Sequence, residues 1–127
     1  MLRLREARLL LNGGYWSGAY YLAGYAVESA LKACIARGTE RYEFPDKRRV
    51  YKSYTHKLED LLGVAGLARQ FRETQDPDKQ LASNWALVQK WTEEARYQLH
   101  SETDATELLE AVQNRKDGVL AWLKKYW

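Results

Sequence analysis

Alanine spacing between residues 18 and 36 constrains this chain more than any other feature. Ala19, Ala23, Ala26, Ala30 and Ala33 recur at alternating steps of four and three, which lines five methyl groups along one side of a helix. Side chains this small let a second helix approach to the short end of the usual ~8–10 Å axis separation. A single glutamate, Glu28, interrupts the otherwise apolar run. A chain organised around such an element is a helical bundle.

The rest of the chain agrees. A first helix is expected over residues 2–12, stopped by Gly13-Gly14. The second spans about 15–36 and ends at Gly38, a length on the order of 33 Å. Residues 39–54 read as a connector, broken at Pro45-Asp46. Thr55 is the expected N-cap of a third helix faced by Leu58, Leu61, Leu62 and Ala65, which frays through Gly66 and residues 73–76. Pro77 suits the first turn of a fourth helix capped by Asp76, with Leu81, Trp85 and Val88 inward. A fifth begins near Thr103, capped by Ser101 or Thr103, and is faced by Ala105, Leu108, Val112, Val119, Trp122 and Tyr126. Asp117-Gly118 is its weak point, the glycine costing about 1 kcal/mol relative to alanine. No sustained two-residue alternation competes. The expected fold is all-α: an antiparallel up-and-down bundle of four to five helices, one domain over residues 1–127.

Composition narrows the function. With 46% hydrophobic residues and two prolines the chain is globular. Its apolar runs fall short of the ~18 residues of a membrane span, and its start lacks a signal-peptide block, so a cytoplasmic location without membrane contact is expected. Cys34 is the single cysteine and reads as a core residue. His56 and His100 lie far apart with no carboxylate spacing that suits zinc or di-iron, so no metal and no cofactor is expected.

Charge is concentrated. Between Arg37 and Lys57 seven cations stand against three carboxylates, a surplus of four where the whole chain has three. Arg41, Lys47, Arg48, Arg49 and Lys52 alternate with Tyr42, Phe44, Tyr51 and Tyr54. That pattern suits either a solvated loop or a single-stranded nucleic-acid surface, where cations meet phosphates and rings stack on bases at ~1–3 kcal/mol each. Glu28 and Lys32, four apart, form either a structural ion pair or part of a nucleotide site. Arg96 and His100 are expected one helical turn apart. A guanidinium can grip a phosphate bidentately and an imidazole can move a proton near neutral pH, as metal-free RNA cleavage requires. Arg49 with His56 is a second such pair, although His56 reads more simply as a first-turn side chain. Tyr15, Tyr21, Tyr25, Trp122, Tyr126 and Trp127 exceed what a small bundle covers and suggest a self-association surface.

Three blocks resemble one family. Gly14-Tyr-Trp-Ser-Gly-Ala19 with residues 22–33, Thr55-His-Lys-Leu-Glu-Asp-Leu61, and Trp91-Thr-Glu-Glu-Ala-Arg-Tyr97 look like the HEPN domain (higher eukaryotes and prokaryotes nucleotide-binding). The resemblance implies an all-α bundle that forms a homodimer. It further implies either a metal-independent ribonuclease or the partner of a minimal nucleotidyltransferase in a toxin–antitoxin module. The family's nuclease motif is an arginine, four to six residues, then a histidine. Here only three residues separate Arg96 from His100, and Tyr97 replaces the usual polar residue. The leading expectation is therefore a dimeric binding component that engages RNA or a nucleotidyltransferase. The alternatives are a ribonuclease using Arg96 and His100, and a nucleotide-binding dimer.

Overall fold

The computed structural model describes residues 1–39 and 47–127, with side chains for 1–38 and 50–127. It is helical, with no strand among the described residues. In chain order the elements are α1 (Leu2–Asn12), α2 (Trp16–Thr39), α3 (Lys47–Lys52), α4 (Leu58–Val64) and α5 (Ala68–Gln75). Then follow α6 (Lys79–Val88), a 3-10 turn (Glu93–Tyr97), α7 (Glu102–Gln113) and α8 (Val119–Leu123). No described helix is long and apolar enough to cross a membrane.

The alanine helix is the axis of the bundle. α2 is about 36 Å long and packs against α1, α4, the 3-10 turn, α7 and α8. Ala19, Ala23, Ala26 and Ala30 are wholly buried, joined by Val27, Leu31, Cys34 and Ile35. Ala33 is exposed. A strict seven-residue repeat drifts ~20° per heptad around a straight helix, so the step from Ala26 to Ala33 carries the last methyl off the buried face. Cys34 is buried and free, with its sulfur against Leu123 O.

Glycine chemistry sets one expected boundary and not another. Gly14, at φ +83°, turns α1 into α2. α2 does not stop at Gly38 but runs to Thr39. Arg37 in its last turn donates to Trp127 O at 2.6 Å, which ties the helix end to the chain terminus and places a cation where the helix dipole favours it.

The five expected helices become more pieces for local reasons. Lys57 rather than Thr55 occupies the N-cap of α4; Thr55 Oγ1 instead accepts from Lys57 N. The stretch read as a fraying end is α5, a helix in its own right. Only Phe71 among its residues is buried, lodged against Trp85 at 5.0 Å and Trp122 at 4.9 Å between ring centroids. One buried residue in eight gives no legible period. Asp76 closes α5, and Asp78 caps α6 by accepting from Leu81 N at 3.0 Å. Ser101 caps α7 in a reciprocal arrangement with Asp104. The expected fifth helix breaks before Gly118, where a Cβ would overlap the Asn114 backbone. Asn114 Oδ1 accepts from Lys116 N and Asp117 N to form the turn.

The expected aromatic surplus is mostly absorbed. Trp122 is buried, and Tyr21, Tyr25, Tyr126 and Trp127 pack partly against the core. Tyr15 is exposed as expected, and the other exposed rings among the described residues are Trp16, Tyr51, Tyr54 and Tyr97.

Candidate functional site

The candidate residues gather where the segment after α6 returns along α2. Trp91 anchors that return. It is 1% exposed and lies over Gly24, where any Cβ would overlap the indole, with Tyr21 stacked at 5.9 Å. Gly24 is thus required for a close approach, not for an unusual backbone angle. Ahead of Trp91 along the returning segment comes Ala95, buried, and then His100 at the start of α2, where His100 N donates to Ser17 Oγ at 2.8 Å. Ser17, Tyr20, Gly24 and Glu28 lie on one side of α2 at steps of three and four. Each contacts the returning segment or, for Glu28, the histidine that bonds it.

Arg96 and His100 do not share a helix. Arg96 belongs to the 3-10 turn, which ends at Tyr97, whereas His100 is in the extended lead to the α7 cap. Arg96 is exposed, its guanidinium 5.0 Å from the Tyr97 ring centroid. His100 lies flat on Tyr20, with centroids 3.7 Å apart and planes within 12°. Its Nδ1 is 3.9 Å from Asp104, and its Nε2 is buried with no hydrogen-bond partner among the described residues. Burial, and then the Asp104 charge, push the Tyr20 phenol above its ordinary range. The arginine therefore faces solvent while the imidazole faces inward.

A second constellation surrounds Glu28, which is 3% exposed. Its Oε1 accepts from Lys32 Nζ at 2.9 Å, the expected ion pair. The same oxygen lies 2.7 Å from His56 Nδ1, and Glu28 Oε2 is buried without a partner among the described residues. On the far side of the ring, His56 Nε2 stands 3.2 Å from Glu93 Oε2. His56 is thus not a free first-turn side chain: it joins the lead to α4, α2 and the 3-10 turn. Sequence reading missed Glu93 because nothing within its own helix marks a carboxylate whose partner is 37 positions earlier.

Of the expected nucleic-acid residues, Arg41 and the side chains of Lys47, Arg48 and Arg49 lie outside the described residues. Lys52 is exposed and lines a groove of about 860 Å³ between α3 and α4 with Tyr51, Tyr54, Glu59 and Asp60. Tyr51 and Tyr54 meet edge to face at 6.5 Å. No cluster of three or more metal-ligating side chains occurs among the described residues.

Against known proteins, a family model described as the HEPN domain matches residues 2–126. Neither a curated protein nor a solved structure matches the chain.

Proposed function

The chain belongs to the HEPN domain family, a helical family related to nucleotides and RNA, and from that premise we propose that it is an RNA-binding component and not a self-sufficient nuclease. One observation carries this reading: Arg96 is presented outward beside the Tyr97 ring while the His100 Nε2 is buried. An outward guanidinium next to an exposed aromatic suits a phosphate with a stacked base. An inward imidazole nitrogen is badly placed to exchange a proton with that phosphate. Glu28 bonds both Lys32 and His56, which favours a structural role for the Glu28–Lys32 pair over an open nucleotide site.

A homodimer is part of the proposal. Leu99 is 95% exposed, and the Ser17–His100 bond brings it to the end of the bundle where Tyr15 and Trp16 are also exposed. Apolar surface of this kind favours self-association. Its setting, in this proposal, is a two-component module with a minimal nucleotidyltransferase, checked by co-purification with the product of an adjacent gene.

The test is fluorescence anisotropy with labelled single-stranded RNA as salt is raised. Affinity should fall steeply with salt, and Arg96→Ala should weaken binding and lower the salt slope by about one per chain. RNA breakdown that persists in chelator and disappears in both Arg96→Ala and His100→Ala would replace this reading with the ribonuclease one.

A further inference from the structure

Both nitrogens of the His56 ring face carboxylate oxygens: Nδ1 meets Glu28 at 2.7 Å and Nε2 meets Glu93 at 3.2 Å. An ionised carboxylate only accepts hydrogen bonds, and a neutral imidazole has only one N–H to give. Nδ1 is hydrogen-bonded to Glu28, and Nε2 lies within ion-pair distance of Glu93, so a ring protonated at both nitrogens is the form that serves both carboxylates. Lys32 Nζ donates to the same Glu28 oxygen at 2.9 Å, so that oxygen already serves as an acceptor. The ring has a nitrogen facing each carboxylate and can carry both protons. The charged groups around it are Glu28 and Lys32 of α2 and Glu93 of the 3-10 turn, with Lys57 next in the chain.

We infer that His56, as the imidazolium, is a positioning residue that clasps the Glu93–Tyr97 turn onto α2 and thereby makes the display of Arg96 dependent on pH. This rests on the RNA-binding reading above. Loss of one ring proton leaves Nδ1–H on the buried Glu28, the stronger contact, and releases Glu93. Two consequences reinforce each other. The turn that carries Arg96 becomes less ordered, so fixing it on RNA costs more. Glu93 also becomes an uncompensated anion three residues from Arg96, where it opposes an approaching phosphate. RNA should therefore bind more tightly on the acid side of the His56 titration.

The clasp is separable from ordinary packing through its amide variant. A primary amide at position 93 accepts from an imidazolium and donates to a neutral ring. Glu93→Gln should consequently hold the turn at every pH, whereas His56→Gln should leave it loose at every pH. The experiment follows two readouts between about pH 5.5 and 8.5, either side of the ordinary imidazole range. One is amide-exchange protection at residues 93–97 with ¹⁵N shifts of the His56 ring. The other is anisotropy with a labelled oligouridylate.

In the unmodified protein, protection should fall about three- to fivefold as the ring loses its second proton, the size expected of a half-exposed ion pair. RNA affinity should fall in parallel, and Glu93→Gln should flatten both curves at the protected level. A singly protonated ring at the acid end with the turn still protected overturns the clasp. An unchanged pH step in RNA affinity in His56→Gln overturns the gating. If RNA is bound at no pH, the RNA-binding reading fails, while the protection curves still decide the clasp.

Discussion

His56 and His100 lie against the same helix, their α2 partners Glu28 and Tyr20 about 12 Å apart along its axis. Each has a carboxylate within reach, yet they are held by different physics. His56 is fixed by a hydrogen bond to the buried Glu28, with the Glu93 carboxylate 3.2 Å from its other nitrogen. His100 is fixed by its face, stacked on Tyr20, while its backbone N–H rather than its ring is bonded to Ser17. In the proposed clasp the first arrangement depends on a proton, whereas the second rests on a stacked ring. A histidine near an arginine in sequence is therefore a poor guide to which imidazole is held between carboxylates.

Removing what both ends share should have the largest effect. Trp91 joins them, and Trp91→Ala should destabilise the fold by about 3–5 kcal/mol in urea titration. Gly24→Val should reproduce part of that loss by pushing the indole away, at about 1–3 kcal/mol. An unchanged midpoint in both would show that the returning segment does not rely on this contact.

Breaking one end alone comes next. Glu28→Ala leaves Lys32 and His56 without their shared acceptor and should cost about 1–3 kcal/mol. It should also loosen the 93–97 turn without shifting the ring resonances of His100. Tyr20→Leu should do the converse: about 1 kcal/mol of stability, a changed His100 signal and an undisturbed His56. If each substitution perturbs both rings equally, the ends are one unit and the contrast between them fails. Ser101→Ala, which removes the α7 cap next to His100, should cost about 1 kcal/mol.

The smallest effect lies away from both histidines and serves as a control. Asp78 accepts from the Leu81 amide and is held below its ordinary range, so its stabilisation is present at neutral pH and is lost as pH falls. Asp117 is pushed up, by desolvation and then by Asp78, so its contribution runs the other way: present in acid and lost as pH rises. Asp117→Asn should therefore raise stability slightly at neutral pH and leave the pH response of the 93–97 turn unchanged. Thermal melts across pH would reveal it.

Legibility in the sequence followed the range of the forces. Helix α1 matched its expected span because an amphipathic run and a diglycine stop are local signals. Ser101 was among the expected caps because a cap and its N3 partner sit three residues apart. α5 was not legible, since its single buried residue finds its partners in α6 and α8. The Arg96–His100 pair was found, but its geometry was not. A 3-10 turn and an extended lead replace the expected helix, because Trp91 must seat on Gly24 and His100 on Ser17 and Tyr20. Glu28 was marked as the polar exception in an apolar run; nothing in the sequence paired it with a histidine 28 residues later.

By itself the sequence determined an all-helical bundle built on an alanine-faced axis, with the carboxylate of Glu28 set in that apolar run, and membership of the HEPN family. Those properties rest on periodicity and local capping, which act within one or two turns. Only the tertiary structure decided which way Arg96 and His100 face and which carboxylates flank His56. Those outcomes depend on contacts between segments tens of residues apart, where burial and hydrogen-bond satisfaction, not local propensity, select the arrangement.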